Sequence, residues 1–309
     1  MAKYALIIFT FSITVFGAVF SSSANWNRAE AKTEDGYSEE IAKWRADRLK
    51  DLNSDDGWLT LVGLLWLKPG QNSIGSDGSN DLILPQGKAP GRVGSILLEN
   101  DTLKITVNPG VSVISDGKPV ESMALKTDSD PKPTVLNIGT LSFYGIKRGT
   151  KYGLRVKDKE SPARTHFVGL EYYPTDPNWR IAAKFEPYKP AKPIPIVNVL
   201  GMVQDMPSPG AVVFDLGGKT YRLDTIGGDD TKPLFIVFAD TTTGRATYGA
   251  GRFLDTDPPK DGSVVVDFNK AYNPPCAFTT FATCPLPPKQ NHLTVAVTAG
   301  EKKYAGSHD

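Results

Sequence analysis

The sequence predicts a mostly β protein: an N-terminal helix, a small β-sandwich, and a larger antiparallel sheet or barrel packed against it. Three observations carry this expectation. The 309 residues include 29 Gly and 24 Pro, a supply that suits many short strands joined by tight turns. Apolar and polar residues alternate in short runs, most clearly in VVFDLGGKTYRL at 212–223, where the diglycine suits a two-residue primed turn. Helical spacing is confined to one charged stretch near residues 38–52. By length, the chain suggests two domains.

The first 24 residues read as a signal peptide rather than part of the fold. Lys3 gives a positive start, Ala5 to Phe20 is apolar, and Ser22, Ser23 and Ala24 offer small residues for cleavage. The expected location is therefore exported, periplasmic or extracellular, with no membrane association after cleavage. The formal charge of +1, from 35 Lys and Arg against 34 Asp and Glu, supplies no general attraction to nucleic acid or to anionic membranes. In an oxidising compartment Cys276 and Cys284 can form a disulfide, a staple worth roughly 2–3 kcal/mol. No sequence feature calls for a cofactor, and the chain carries no GxSxG motif and no histidine pair at zinc spacing.

Residues 25–57 form an N-terminal segment in which Ser38 can cap a helix running to about Leu52. Glu39 and Glu40 suit its positive end, and Ile41, Trp44, Leu49 and Leu52 form its apolar stripe. Trp58 to Leu67 is apolar on both alternating faces, as expected of a strand covered on both sides or of one at the edge of a domain interface. Short strands and polar turns then continue to 125. The run IGSDGSNDLIL at 74–84, followed by Gly91, Arg92, Val93 and Gly94 and by the turn Asp116-Gly117-Lys118, resembles a forkhead-associated (FHA) β-sandwich, here placed over 58–125. Domains of that family read phosphothreonine peptides through their loops. In this chain Ser76 stands where the family's phosphate-binding arginine is expected, and Gly91 and Gly94 replace a serine and a histidine. The resemblance thus implies strands and turns without the guanidinium fork that phosphate recognition needs.

Residues 126–309 are expected to form the antiparallel domain. Leu136 to Lys157 reads as strands broken at Gly145 and Gly149, and EPYKPAKPIP at 186–195 as an extended, stiff crossover within one antiparallel system. Leu234 to Phe238 is a buried strand, and Arg245 to Leu254 is its expected return strand. Gly249 and Gly251 would lie on one face of that return strand, which calls for close approach of something to the backbone.

This last region holds the densest set of polar and aromatic residues and is the expected site. Asp240, Tyr248, Arg252, Asp267, Asn269, Tyr272 and Asn273 are its candidate ligand-binding residues. Arg252 is the expected partner of Asp267, and the set is expected to converge beneath a cysteine loop stiffened by prolines. The stretches TYGAGRFLD (247–255), DFNKAYNPPCAFTTFATCPLPP (267–288) and NHLTVAVTAGEKKY (291–304) resemble the domain-of-unknown-function 1684 family, over about Leu59 to Tyr304. That resemblance implies no established activity. Three readings of the polar set stay open: a pocket for a small polar or anionic ligand anchored by Arg252; a hydrolase using Asp240 or Asp267 as acid or base; and a buried network that only fixes the loop. Asp240, Asp267 and Asn269 also offer oxygen donors of the kind calcium takes.

Overall fold

The computed structural model describes residues 34–227 and 229–306; the expected signal peptide and His308 lie outside the described residues. The fold is mostly β with one long N-terminal helix, α1 (Glu34–Leu52). The helix starts upstream of Ser38, which is therefore an interior residue and not the cap. Trp58 to Thr60 form a single 3₁₀ turn, so the apolar run 58–67 enters its strand only at Leu61.

Eleven strands follow: β1 (Leu61–Trp66), β2 (Gly70–Gly75), β3 (Leu82–Ile83), β4 (Gly94–Glu99), β5 (Thr102–Val107), β6 (Ile114–Ser115), β7 (Lys118–Pro119), β8 (Ser122–Leu125), β9 (Val135–Ile138), β10 (Leu141–Arg148) and β11 (Lys151–Asp158). They build two facing sheets, ordered β1-β11-β10-β9-β6-β7 and β3-β2-β4-β5-β8. The pairing is antiparallel apart from the short β2–β3 pair. Alternation decides which side chains fill the space between them. In β5 Leu103, Ile105 and Val107 point inward while Thr102, Lys104 and Thr106 stay exposed. Ile74, Val93, Ile96, Phe143, Leu154 and Val156 complete one core. The sandwich thus reaches Asp158, beyond the expected limit of 125, because β9–β11 supply Leu136, Ile138, Leu141, Phe143, Tyr152, Leu154 and Val156 to that core. Gly145 does not break β10: a side chain there would meet Leu103 Cδ1 at 2.8 Å, so the glycine allows close sheet packing. Gly149, at φ +59, makes the β10–β11 turn.

The C-terminal half contains β12 (Arg180–Val197), β13 (Val203–Leu216), β14 (Lys219–Asp224), β15 (Leu234–Phe238), β16 (Arg252–Thr256) and β17 (Ser263–Asp267). One sheet runs β14-β13-β12-β17, and β15 pairs with β16. The hairpin read at 212–223 is present: Leu216 pairs with Lys219, and Gly217 and Gly218 both take positive φ. The proline-rich stretch is strand, not connector. Beyond Lys184, β12 has only β13 as a neighbour, so proline nitrogens facing the open edge forfeit no ladder hydrogen bond. Phe185, Val212, Phe214, Ile236, Phe238, Leu254, Val266 and Phe268 fill the core of this half. Leu61 of β1, Ile194, Ile196, Val237 and Phe253 form a smaller cluster where the two halves meet. No described helix is long and apolar enough to cross a membrane.

Candidate functional site: a buried arginine network and an aromatic cleft

The return strand expected from Arg245 begins only at Arg252; residues 245–251 are turns and irregular chain, with one bridge from Thr247 to Thr243. Gly251, at φ +85, closes that turn, and a side chain there would meet Pro287 Cγ at 2.5 Å and Phe238 O at 2.6 Å. Gly249 meets nothing closer than 3.9 Å. One of the two glycines therefore answers to close approach, and what approaches is a proline ring and a carbonyl.

Arg252 does not meet Asp267. As the first residue of β16, opposite Phe238, it points into the domain and is fully buried. Its Nη2 donates to Asp240 Oδ2 at 2.8 Å and to Val297 O at 2.9 Å; its Nη1 donates to Ala299 O at 2.5 Å and to Glu301 O at 3.4 Å. Asp240 also accepts the backbone N–H of Thr242 at 2.7 Å. Burial pulls the arginine pKa down, and the charge of Asp240 opposes that. The guanidinium is spent on one carboxylate and three carbonyls of the C-terminal segment, so the expected Arg252–Asp267 pair is replaced by Arg252–Asp240.

Asp267 belongs to a second network. Its Oδ1 accepts Tyr37 Oη at 2.8 Å and the amide of Asn269 at 3.1 Å. Asn269 Nδ2 donates to Tyr37 Oη and to Asp176 O, while its oxygen takes the N–H of Asp176. Burial raises the pKa of Asp267, against the lowering effect of these hydrogen bonds. Asp240 and Asp267 thus face different partners, and with Asn269 they do not converge on a cation position.

Asn273 belongs to a third group, centred on Glu301. Both its N–H and its Nδ2 donate to Glu301 Oε2, at 2.7 and 2.9 Å. Glu301, itself fully buried, receives Arg48 Nε at 3.1 Å, and Arg48 Nη2 reaches Asn273 O at 2.9 Å. Tyr248 lies apart again, donating to Cys276 O at 2.9 Å. The seven candidates therefore divide among neighbouring networks.

The expected disulfide is not formed: Cys276 and Cys284 are not bonded to each other. A 3₁₀ turn over Pro275–Ala277 aims the backbone N–H of Cys276 at Cys284 Sγ, at 3.1 Å. Burial pushes the Cys284 thiol pKa far up, which keeps it protonated.

Tyr272 opens onto a cleft. This cavity of about 490 Å³ lies between α1 and the β15–β16 pair. Trp44, Trp58, Phe235, Phe253 and Tyr272 wall it, and Asp47, Arg48, Asp51 and Asp255 supply its charges. Phe235 and Phe253 stand nearly perpendicular at 4.9 Å between centroids, as do Phe253 and Tyr272 at 5.8 Å; Trp44 tilts against Tyr272 at 6.4 Å. Tyr272 Oη donates to Asp255 Oδ2 at 2.7 Å. Asp255 is reachable from solvent, yet crowding by the protein raises its carboxyl pKa, with the Tyr272 hydrogen bond and Arg48 acting the other way. Arg48 packs over the Tyr272 ring at 4.6 Å.

Sequence reasoning missed Tyr37, Arg48, Asp255 and Glu301, and read Trp44 only as part of the helix's apolar stripe. A signal was available for the helix residues: Tyr37, Ile41, Arg45, Arg48 and Leu52 recur at helical spacing, and all five pack inward. Read as charge on a solvated face, Arg45 and Arg48 escape notice. His166 caps a single turn of helix at 162–165 and is exposed.

Residues 165–302 match the family described as protein of unknown function, DUF1684. The match covers less than the stretch from Leu59 that the sequence resemblance suggested. No curated protein matches. Among solved structures, an uncharacterised protein of Haloarcula marismortui is 32% identical over 46% of this chain and 80% of its own, with a TM-score of 0.39. An FHA-2 domain of a Mycobacterium tuberculosis ABC transporter is 22% identical over 28% of this chain and 74% of its own, with a TM-score of 0.22. A phosphothreonine-dependent FHA domain is 16% identical over 32% of this chain and 96% of its own, also with a TM-score of 0.22.

Proposed function

We propose that this chain, which belongs to the DUF1684 family, is a binding module whose ligand, a small polar molecule, occupies the aromatic cleft between α1 and β15–β16. The observation that carries this reading is the convergence of five aromatic side chains and four charged ones on a single open cavity of about 490 Å³, a size and make-up suited to a small ligand. Nothing about the cleft favours an anion. Its one guanidinium, Arg48, is matched by Glu301 at 3.1 Å, while three aspartates face the opening. Arg252, the anchor expected from sequence, has its charge taken by Asp240. That favours the network reading for this part of the polar set, namely that it fixes the segment 297–301 against β16. A hydrolase built on Asp240 or Asp267 is disfavoured, since both are closed off from solvent at 7% and 6% exposure.

The test is a thermal-shift screen of amines, sugars and carboxylates against the full chain. A ligand present at 100 times its Kd stabilises the folded state by about 2.7 kcal/mol, which raises Tm by roughly 5–10 °C for a protein of this size. The reading requires that a hit lose its shift in Trp44→Ala and Phe253→Ala. Hits indifferent to both substitutions would place binding elsewhere.

A further inference from the structure

Building on that reading of the cleft, we infer that its ligand class is a compact organic cation, a quaternary or primary ammonium compound held among the rings of Trp44, Phe253 and Tyr272 with Asp255 as its counter-charge. The shape of the wall carries the argument. A sugar needs an open, flat platform on which a ring face can lie. Here successive rings stand at 83° (Phe235 to Phe253), 88° (Phe253 to Tyr272) and 49° (Tyr272 to Trp44). Rings packed edge to face in this way line the cleft in several planes rather than as one flat platform, and the faces of aromatic rings attract ammonium groups.

Charge points the same way. Asp47 and Asp51 of α1 face the cleft from one side and Asp255 of β16 from the other; among the described residues, Arg48 is the one cation lining it. Arg48 is held by Glu301 and by the Asn273 carbonyl, and Asp47 is paired with Lys43. Among the described residues, Asp51 and Asp255 therefore remain at the opening without a salt bridge, Asp255 accepting only the Tyr272 hydroxyl. The protein already seats its own cations on these rings: Arg48 on Tyr272 at 4.6 Å, and Arg155 on Trp58 at 4.9 Å. Placed beside Asp255, a bound cation would offset the crowding that disfavours its ionised form, so binding and ionisation of that carboxylate assist each other. The groups facing Asp255 are the Tyr272 hydroxyl, Arg48, Asp47 and Asp51.

The experiment is calorimetric titration of the full chain with tetramethylammonium and choline chlorides at constant ionic strength, with glucose and sodium acetate as neutral and anionic probes. The expected result is saturable binding of the two cations, about tenfold weaker (about 1.4 kcal/mol) in Asp255→Asn and lost in Trp44→Ala, with Tm unchanged in Asp255→Asn. Affinity in the wild type should rise with pH as Asp255 ionises, and Asp255→Asn should lose that increment. Glucose bound in a Trp44-dependent way without cation binding would overturn the cation and keep the cleft. Cations bound equally by wild type and both variants would overturn the cation site, as would no binding of either cation up to 10 mM (roughly 2.7 kcal/mol).

Discussion

Replacing Arg252 with methionine separates a structural arginine from a ligand anchor. The substitution keeps an unbranched side chain of similar reach but removes four hydrogen bonds. Asp240 would be left as a buried carboxylate with backbone N–H donors and no positive partner, which costs about 3–5 kcal/mol. The carbonyls of Val297, Ala299 and Glu301 would lose the donor they share, and a buried acceptor left unmet costs about 1–3 kcal/mol. Methionine's apolar contacts return a part of this, so a net loss of about 5 kcal/mol is expected, or roughly 10–20 °C in Tm. Thermal unfolding followed by circular dichroism reads this directly. The double variant Arg252→Met with Asp240→Leu removes both charges, and should be more stable than the sum of the two single losses by at least about 1 kcal/mol. A single variant that melts within about 2 °C of wild type would refute the reasoning, because no fully buried, four-fold bonded guanidinium can be removed so cheaply. Strict additivity in the double variant would refute the pairing with Asp240.

Four other expectations follow from the same geometry. Gly251→Ala should lose more than about 1–3 kcal/mol, because it combines positive φ with contact to Pro287 and the Phe238 carbonyl, whereas Gly249→Ala should leave chemical denaturation midpoints unchanged. Arg48→Ala should cost about 2–4 kcal/mol by stranding the buried Glu301, while Lys43→Ala, which removes an exposed i,i+4 pair, should cost at most about 0.5 kcal/mol. Burial raises the folded-state pKa of Asp267 above its unfolded value, so this group destabilises the fold when ionised. Its contribution to stability therefore improves as pH falls from neutral towards the ordinary carboxylate range near 4, and Asp267→Asn should abolish that part of the pH slope measured by denaturant titration. Thiol labelling should count two reactive cysteines in denaturant, with half-exposed Cys276 modified well before buried Cys284 in the native state.

The fold was more legible than the site, for physical reasons. Strand alternation and turn chemistry are local, so the 212–223 hairpin, the β5 face and the mostly β architecture could be read from neighbours in sequence. The sandwich limit could not, because β9–β11 join its core through contacts with residues 40–80 positions away, such as Leu103 against Gly145. The prolines of β12 misled because local propensity penalises them, while an open sheet edge does not. At the site, sequence reasoning found Arg252, Asp240 and Asp267 as unusual polar residues in apolar surroundings but paired them by strand adjacency. The true partners are chosen across the whole chain: Tyr37 lies 230 positions from Asp267 and Arg48 lies 253 from Glu301.

Long-range contacts of this kind also explain why the cleft exists. Its walls come from elements with no sequence proximity, α1 on one side and β15–β16 with Tyr272 on the other. What sets their spacing is the segment 297–301, gripped from the β16 side by Arg252 through its carbonyls and from the α1 side by Arg48 through the Glu301 carboxylate. The two arginines therefore act on the same segment from opposite directions. Neither needs to touch a ligand for its loss to matter, since Arg48→Ala would free the helix carrying Trp44 to drift from Phe253. The polar cluster that looks like a binding site in the sequence is, on this geometry, the frame that holds an aromatic site open beside it.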